Sequence, residues 1–254
     1  MTRVTLYRVL VIVAAVLLLE LLCVTGVIDK ITMQPPHRIL YDLWIILVTG
    51  KQNAAIAKTM TNASIALALA LVVGVATAVL LHGHRAVRET LDPLFATYYA
   101  VPIFAFYPLL IVLFGLGDAP QIGIGFMLGV VAVIVNTLNG LDRVPRVLLK
   151  AACIQRLGRI ETALKVELPY ATPYVLTGAK FAVAYSLIGI IGAEFIMSRG
   201  GMGYEISFAY NNFDNATMYP LIVLILAVSI SINASLSWWE KVLLARRGQW
   251  VAAP

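Results

Sequence analysis

The sequence predicts an all-α membrane protein, and three observations predict it. Mean hydropathy is +0.89 over 254 residues, far above water-soluble globular compositions. Apolar runs of about 18 residues or more recur along the chain, each long enough to cross a bilayer as a helix. Charges are few and unevenly placed: Leu141 to Leu168 alone carries nine of the 19 basic and 13 acidic side chains. Six transmembrane helices fit the runs, at about residues 6–28, 56–81, 91–115, 120–140, 170–197 and 217–239, within a single transmembrane domain covering 1–254.

The first run, Leu6 to Ile28, exceeds a signal-peptide core, contains Glu20 and lacks a small-x-small cleavage site, so it reads as a retained spanning helix. Next, Gln34 to Gly50 opens on prolines and is too short to cross. It predicts an outer interfacial helix with Tyr41 and Trp44 at headgroup level. The third run, TYYAVPIFAFYPLL in its centre, is interrupted by Pro102 and Pro108 among aromatic rings. Prolines free backbone groups that are tolerated only against protein or a wet cavity. Tyr99, Phe104 and Tyr107 are therefore candidates to line a translocation path, as are Asn136 in the fourth run and Glu194 in the fifth, polar groups at membrane depth. Glu194 has Arg199 as a possible partner in sequence. Lys180, about 21 Å from Glu194 along the same helix, is out of its reach and is expected to snorkel. Glu20 is expected to serve helix packing. Gly125-x3-Gly129, Gly189-x2-Gly192 and the alanines from Ala66 to Ala70 predict close helix contacts. Residues 198–216 hold turn glycines and then a short amphipathic stretch. His37, His82 and His84 fall in loops or at span ends and read as solvated, and Cys23 and Cys153 form no disulfide framework.

With both termini in the cytoplasm, thirteen Lys and Arg lie on the cytoplasmic side and five outside, with Lys180 in a span. The formal net charge of +6 is thus a topology signal rather than a sign of nucleic acid. The charged 141–168 loop falls in the cytoplasm. Asp142 and Pro145 supply a helix start, Val144, Val147, Leu148, Ala151 and Ile154 share one face, and basic residues gather opposite. Gly158 is expected to loosen or end that helix, and a second short helix, Arg159 to Val166, leads into Leu168-Pro169. On these residues alone the loop either rests on anionic lipid or docks on a cytoplasmic partner.

Ala151-Ala152, followed fourteen residues after Ala152 by Val166-Glu167-Leu168-Pro169, resembles the E-A-A-x3-G-x9-I-x-L-P loop of ABC importer permeases. Further stretches resemble the nitrate/taurine/sulfonate branch of these binding-protein-dependent permeases: Pro35-Pro36, Leu91-Asp92-Pro93, Pro102-x5-Pro108 with Phe114-Gly115-Leu116-Gly117, Asn136-Thr137-x2-Gly140, Ala193-Glu194 and Gly201-Met202-Gly203. Their order and spacing cover the chain from about residue 34 to 247. Lys150 stands where the family has its glutamate and Arg156 where it has its glycine.

The resemblance implies a type I ABC importer transmembrane domain in a bacterial inner membrane, multi-pass, whose 141–168 loop is a coupling-helix loop. Val147, Lys150, Ala151, Ala152, Ile154, Arg156 and Gly158 would dock on an ATPase. Implied partners are a second copy or paralogue, two cytoplasmic ABC ATPase subunits, an extracytoplasmic substrate-binding protein and membrane lipid, with no nucleic acid. No G-x-x-x-x-G-K-[ST], H-E-x-x-H or G-x-S-x-G motif is present, so no cofactor is expected in this chain and no catalytic or metal site. ATP and Mg would be bound by the partner ATPase. The expected cargo is a small anion: a sulfonate such as taurine, nitrate or an aromatic carboxylate. The alternative is a self-sufficient secondary carrier or channel for small anions.

Overall fold

Helices make up every regular element in the computed structural model, which describes residues 3–29 and 32–246. In chain order they are α1 (Arg3–Val24), α2 (Pro36–Thr49), α3 (Asn53–His82), α4 (Arg85–Thr97), α5 (Tyr107–Phe114), α6 (Asp118–Leu141), α7 (Arg146–Ile154), α8 (Arg159–Thr162), α9 (Leu168–Met197), α10 (Met202–Asn211) and α11 (Asn215–Arg246).

Among the described residues four helices are long and apolar enough to cross a membrane: α3, α6, the continuous helix 159–197 and α11. The third expected span is a broken one. Ala86–Ala100 and Ile103–Phe114 meet at 92° and together would make a fifth crossing. The cause is local: Val101, ahead of Pro102, is extended (φ −79°, ψ 128°), as a residue before proline prefers, and short 3₁₀ turns flank the corner. The first span ends at Val24 instead of Ile28, and its apolar part, Leu10–Val24, is shorter than the others.

The core is the packing of α3, α6 and α9, and small residues make it close. A Cβ at Gly189 would lie 2.8 Å from the Gly125 Cα, and one at Gly129 2.8 Å from the Ser186 Oγ and 3.3 Å from the Ala70 Cβ. In a bilayer, where lipid tails are as apolar as leucine, such close backbone approach is a main source of helix association. Around these contacts Ala66, Val183, Leu187 and Ile190 form one buried cluster, and Ala70, Val131, Ile134 and Leu138 another.

The expected separate helix before the fifth span is continuous with it. Pro169 has no N–H to offer the Lys165 carbonyl, and the helix widens into a π turn over Ala163–Glu167, with the Leu168 N–H bonded to the Ala163 carbonyl. The sixth span extends beyond residue 239, so Glu240 lies inside α11 and pairs with Lys180; Thr177 also donates to Glu240, at 3.4 Å. That pairing replaces the expected snorkelling of Lys180. Glu20 takes the Nδ1 of His37 at 2.5 Å and its backbone N–H at 3.2 Å, anchoring the start of α2 to α1.

Candidate functional site

Two polar clusters lie at opposite ends of the α3/α6/α9 core. At the end that carries α7, the four-residue connector 142–145 joins α6 to α7. Asp142 does not cap α7; Pro145 occupies the N-cap position, and Asp142 turns instead to Arg88 of α4, whose Nη1 and Nη2 each donate to one carboxylate oxygen at 2.6 Å. That fork holds the Asp142 carboxyl below the usual carboxylate range. His82, at the end of α3, places Nδ1 3.4 Å from Asp142, and Arg88 also lies 3.9 Å from Asp92. The next residue, Arg143, donates to the Tyr174 hydroxyl of α9 at 3.0 Å, its guanidinium over that ring. Of the three histidines, His37 and His84 are exposed, and His84 also bonds to the Leu80 carbonyl at 2.9 Å; His82 is the one partly enclosed.

Helix α7 divides its apolar residues between two sides. Ala152 and Val144 are buried, whereas Val147 is 75% exposed, Ile154 83% and Ile160 of α8 76%, and Lys150, Ala151, Arg156 and Gly158 also face outward. Of the predicted apolar face, Val147, Leu148, Ala151 and Ile154 lie on α7 and are exposed together, while Val144 falls in the connector ahead of the helix and is buried. Arg156, not Gly158, ends the helix. It adopts φ +55°, its N–H bonds to the Cys153 carbonyl at 3.0 Å, and the Leu157 N–H reaches back to Ala152 at 3.1 Å. This pair of bonds is a Schellman cap, which favours glycine at the left-handed position. Gly158, at φ −67°, opens α8, where its N–H donates to Glu161 at 3.3 Å.

At the other end Glu194 is wholly enclosed, at 0% exposure. The Thr59 hydroxyl sits 2.9 and 2.8 Å from its two carboxyl oxygens, and the Gly203 N–H at the start of α10 donates at 3.0 Å. Thr59 in turn accepts the Met202 N–H at 2.8 Å. Gly201 has φ +106°, and a Cβ there would overlap the Glu194 carboxyl. This buried carboxyl thus fastens α3, α9 and α10 together, and Arg199 is not its partner. Around it Asn62 bonds to Gln121 at 3.2 Å, Gln121 to Ser198 at 2.9 Å, and Lys58 pairs with Asp118 at 2.9 Å.

The five path candidates do not converge on one surface. Tyr107 is buried and donates to the Met197 carbonyl at 3.0 Å, joining the Glu194 end. Phe104 packs against Gly192, where a Cβ would collide with its ring. Asn136 donates to Ala132 of its own helix at 2.8 Å. Tyr99 is exposed and lies 5.1 Å from Tyr185, which stacks with Phe181. Sequence reading missed Thr59, Arg88, Tyr185 and Glu240. Only Glu240, an acidic residue one position past the predicted last span, left a trace there.

The two clusters thus sit on a helical membrane core with a charged helix, α7, between the crossing helix α6 and the 159–197 helix. The chain belongs to the family described as binding-protein-dependent transport system inner membrane component, which matches residues 70–249. It is 28% identical over 179 residues to the nitrate import permease protein NrtB of Leptolyngbya laminosa, covering 70% of this chain and 64% of that one. It is 27% identical over 187 residues to the bicarbonate transport system permease protein CmpB of Synechococcus elongatus, covering 73% and 67%. The chain therefore spans about two thirds of the length of these relatives. Its fold is that of a chain of the MetNI methionine ABC transporter solved in inward-facing conformations, with a TM-score of 0.66 at 16% identity over 75% of this chain and 94% of that one. The resemblance carried by Ala151-Ala152 and Leu168-Pro169 is thereby confirmed at the level of family and fold.

Proposed function

We propose that this chain is the membrane-spanning subunit of an ATP-driven importer, with the 141–168 loop in the cytoplasm docking on a separate ABC ATPase. The observation that carries the reading is the exposed apolar set Val147, Ala151 and Ile154 on α7 and Ile160 on α8, the latter being the first turn of the continuous 159–197 helix. Apolar side chains displayed on a charged loop outside the bilayer suit a groove in a protein partner, and the continuous helix can carry a rigid displacement into the membrane. A second copy, two ATPase subunits and an extracytoplasmic binding protein complete the assembly. The cargo is a small anion, in keeping with relatives named for nitrate and bicarbonate import. Catalysis of ATP hydrolysis belongs to the ATPase, which binds ATP and Mg.

Co-expression with an ABC ATPase encoded beside it, followed by purification in mild detergent, tests this. The expected result is co-elution near one-to-one, with ATPase activity raised by a loaded binding protein. A chain that purifies alone and moves anions into liposomes without ATP overturns the reading in favour of a self-sufficient carrier. Within an assembled complex, Ala151→Asp or Ile154→Asp is expected to uncouple hydrolysis from transport while insertion is retained.

A further inference from the structure

We propose that the Arg88–Asp142 fork is the joint through which movement of α7 reaches the broken α4/α5 span, which makes Arg88 a positioning residue for transport. The proposal rests on the docking reading above and adds to it a route more direct than the covalent one. Helix α7 is joined covalently to α6 on one side, through residues 142–145, and to the 159–197 helix on the other. Its covalent route to α4 and α5 runs back along the whole of α6 and through residues 115–117, entering at the α5 end, far from Arg88; among the described residues α4 and α5 form the membrane element with a sharp corner, bent by 92°. A connection through space is shorter, and the connector holds one in each direction: Arg143 to Tyr174 of α9 at 3.0 Å, and Asp142 to Arg88 of α4 in two bonds of 2.6 Å.

The neighbourhood suits a joint. Beside the fork, between α4 and α6, a cleft of about 320 Å³ is lined by Arg88, Asp92, Phe95, Val135, Leu138 and Asn139, which leaves α4 room to tilt. At its far end α4 is hinged on α6 by the Tyr98 hydroxyl on the Met127 carbonyl at 2.9 Å, just ahead of the corner. A pull at Arg88 would therefore turn α4 about that hinge. A bidentate guanidinium–carboxylate pair transmits orientation as well as distance, because its two parallel bonds resist rotation, and lysine cannot reproduce it. His82 Nδ1 at the end of α3 lies 3.4 Å from the same carboxylate without a hydrogen bond to it.

The test uses the complete complex in proteoliposomes, with ATPase and loaded binding protein, and reads solute moved per ATP hydrolysed. Arg88→Gln and Asp142→Asn are each expected to lower this ratio about tenfold with ATPase activity retained, and the double variant to be no worse than either single one. A merely structural role would lower assembly, transport and hydrolysis together and leave the ratio unchanged; that result overturns the joint, as does a double variant whose loss is the product of the single losses. Where a neutral variant fails to assemble, Arg88→Lys, which keeps the charge and loses the fork, is judged by the same criterion. A wild-type complex that does not form, or moves solute without ATP, overturns the docking reading and the joint with it.

Discussion

Arg156 holds a left-handed backbone, φ +55°, at a position where the family pattern has glycine. For a residue with a Cβ that conformation costs about 1–2 kcal/mol, and the two cap bonds from Arg156 and Leu157 hold it in place. Arg156→Gly is therefore expected to stabilise the α7 end by about 1 kcal/mol, read as a higher midpoint in thermal or denaturant unfolding of the detergent-solubilised protein. No gain would mean that the guanidinium makes a compensating contact. Glu194 raises the opposite case. Glu194→Ala would strand the Gly203 N–H and the Thr59 hydroxyl inside the packing, at about 1–3 kcal/mol for each group left unsatisfied. Glu194→Gln keeps the shape and one acceptor and should lose less. Limited proteolysis of the 198–216 segment checks this, with the alanine variant cleaved faster than the glutamine variant and both faster than wild type. Gly201→Ala should resemble Glu194→Ala, since its methyl would occupy the space of the carboxyl. The sequence showed Glu194 as a costly group at membrane depth, but its partners lie 135 residues back and nine residues on, at spacings no local pattern marks.

At the scale of elements, hydrophobic runs located the helices because crossing a bilayer forces every backbone group into a local hydrogen bond. Their ends were less legible. Ordinary periodicity does not show that a run will break at 92°, and only the pre-proline preference at Val101 hinted at the corner. The glycine spacings were read correctly as contacts: Gly125 meets Gly189, and Gly192 meets Phe104. Helix α11 is the least enclosed of the four crossing helices, and Lys180–Glu240 is its ionic tie to α9. Removing one partner leaves the other charge in the membrane, at a cost of a few kcal/mol. Lys180→Met and Glu240→Leu should each lower the yield of folded protein by gel filtration, and the double variant should recover it. A double variant as poor as the singles would show that the pair contributes more than mutual neutralisation.

At the scale of the whole molecule, the two cysteines offer a test of sidedness without engineered labels. Cys153 is exposed on α7 and Cys23 is buried in α1. With the 141–168 loop in the cytoplasm, a membrane-impermeant maleimide should modify Cys153 in inside-out vesicles and leave it unmodified in intact cells. Labelling from outside would invert the orientation inferred from the Lys and Arg distribution. An excess of bound ATPase should also slow the reaction in vesicles, because the proposed docking residues Ala151, Ala152 and Ile154 flank the thiol.

By itself the sequence determined that this is a helical membrane protein, in what order its helices run, and where a charged amphipathic helix interrupts them. Each of these follows from composition and from periods of a few residues. The tertiary structure alone decided which charge meets which: Glu194 with Thr59, Lys180 with Glu240, Glu20 with His37, and Asp142 with Arg88. The physical reason is range. Helix formation satisfies groups four residues apart, whereas a buried charge is satisfied only by whatever the packing of distant helices brings within about 3 Å of it.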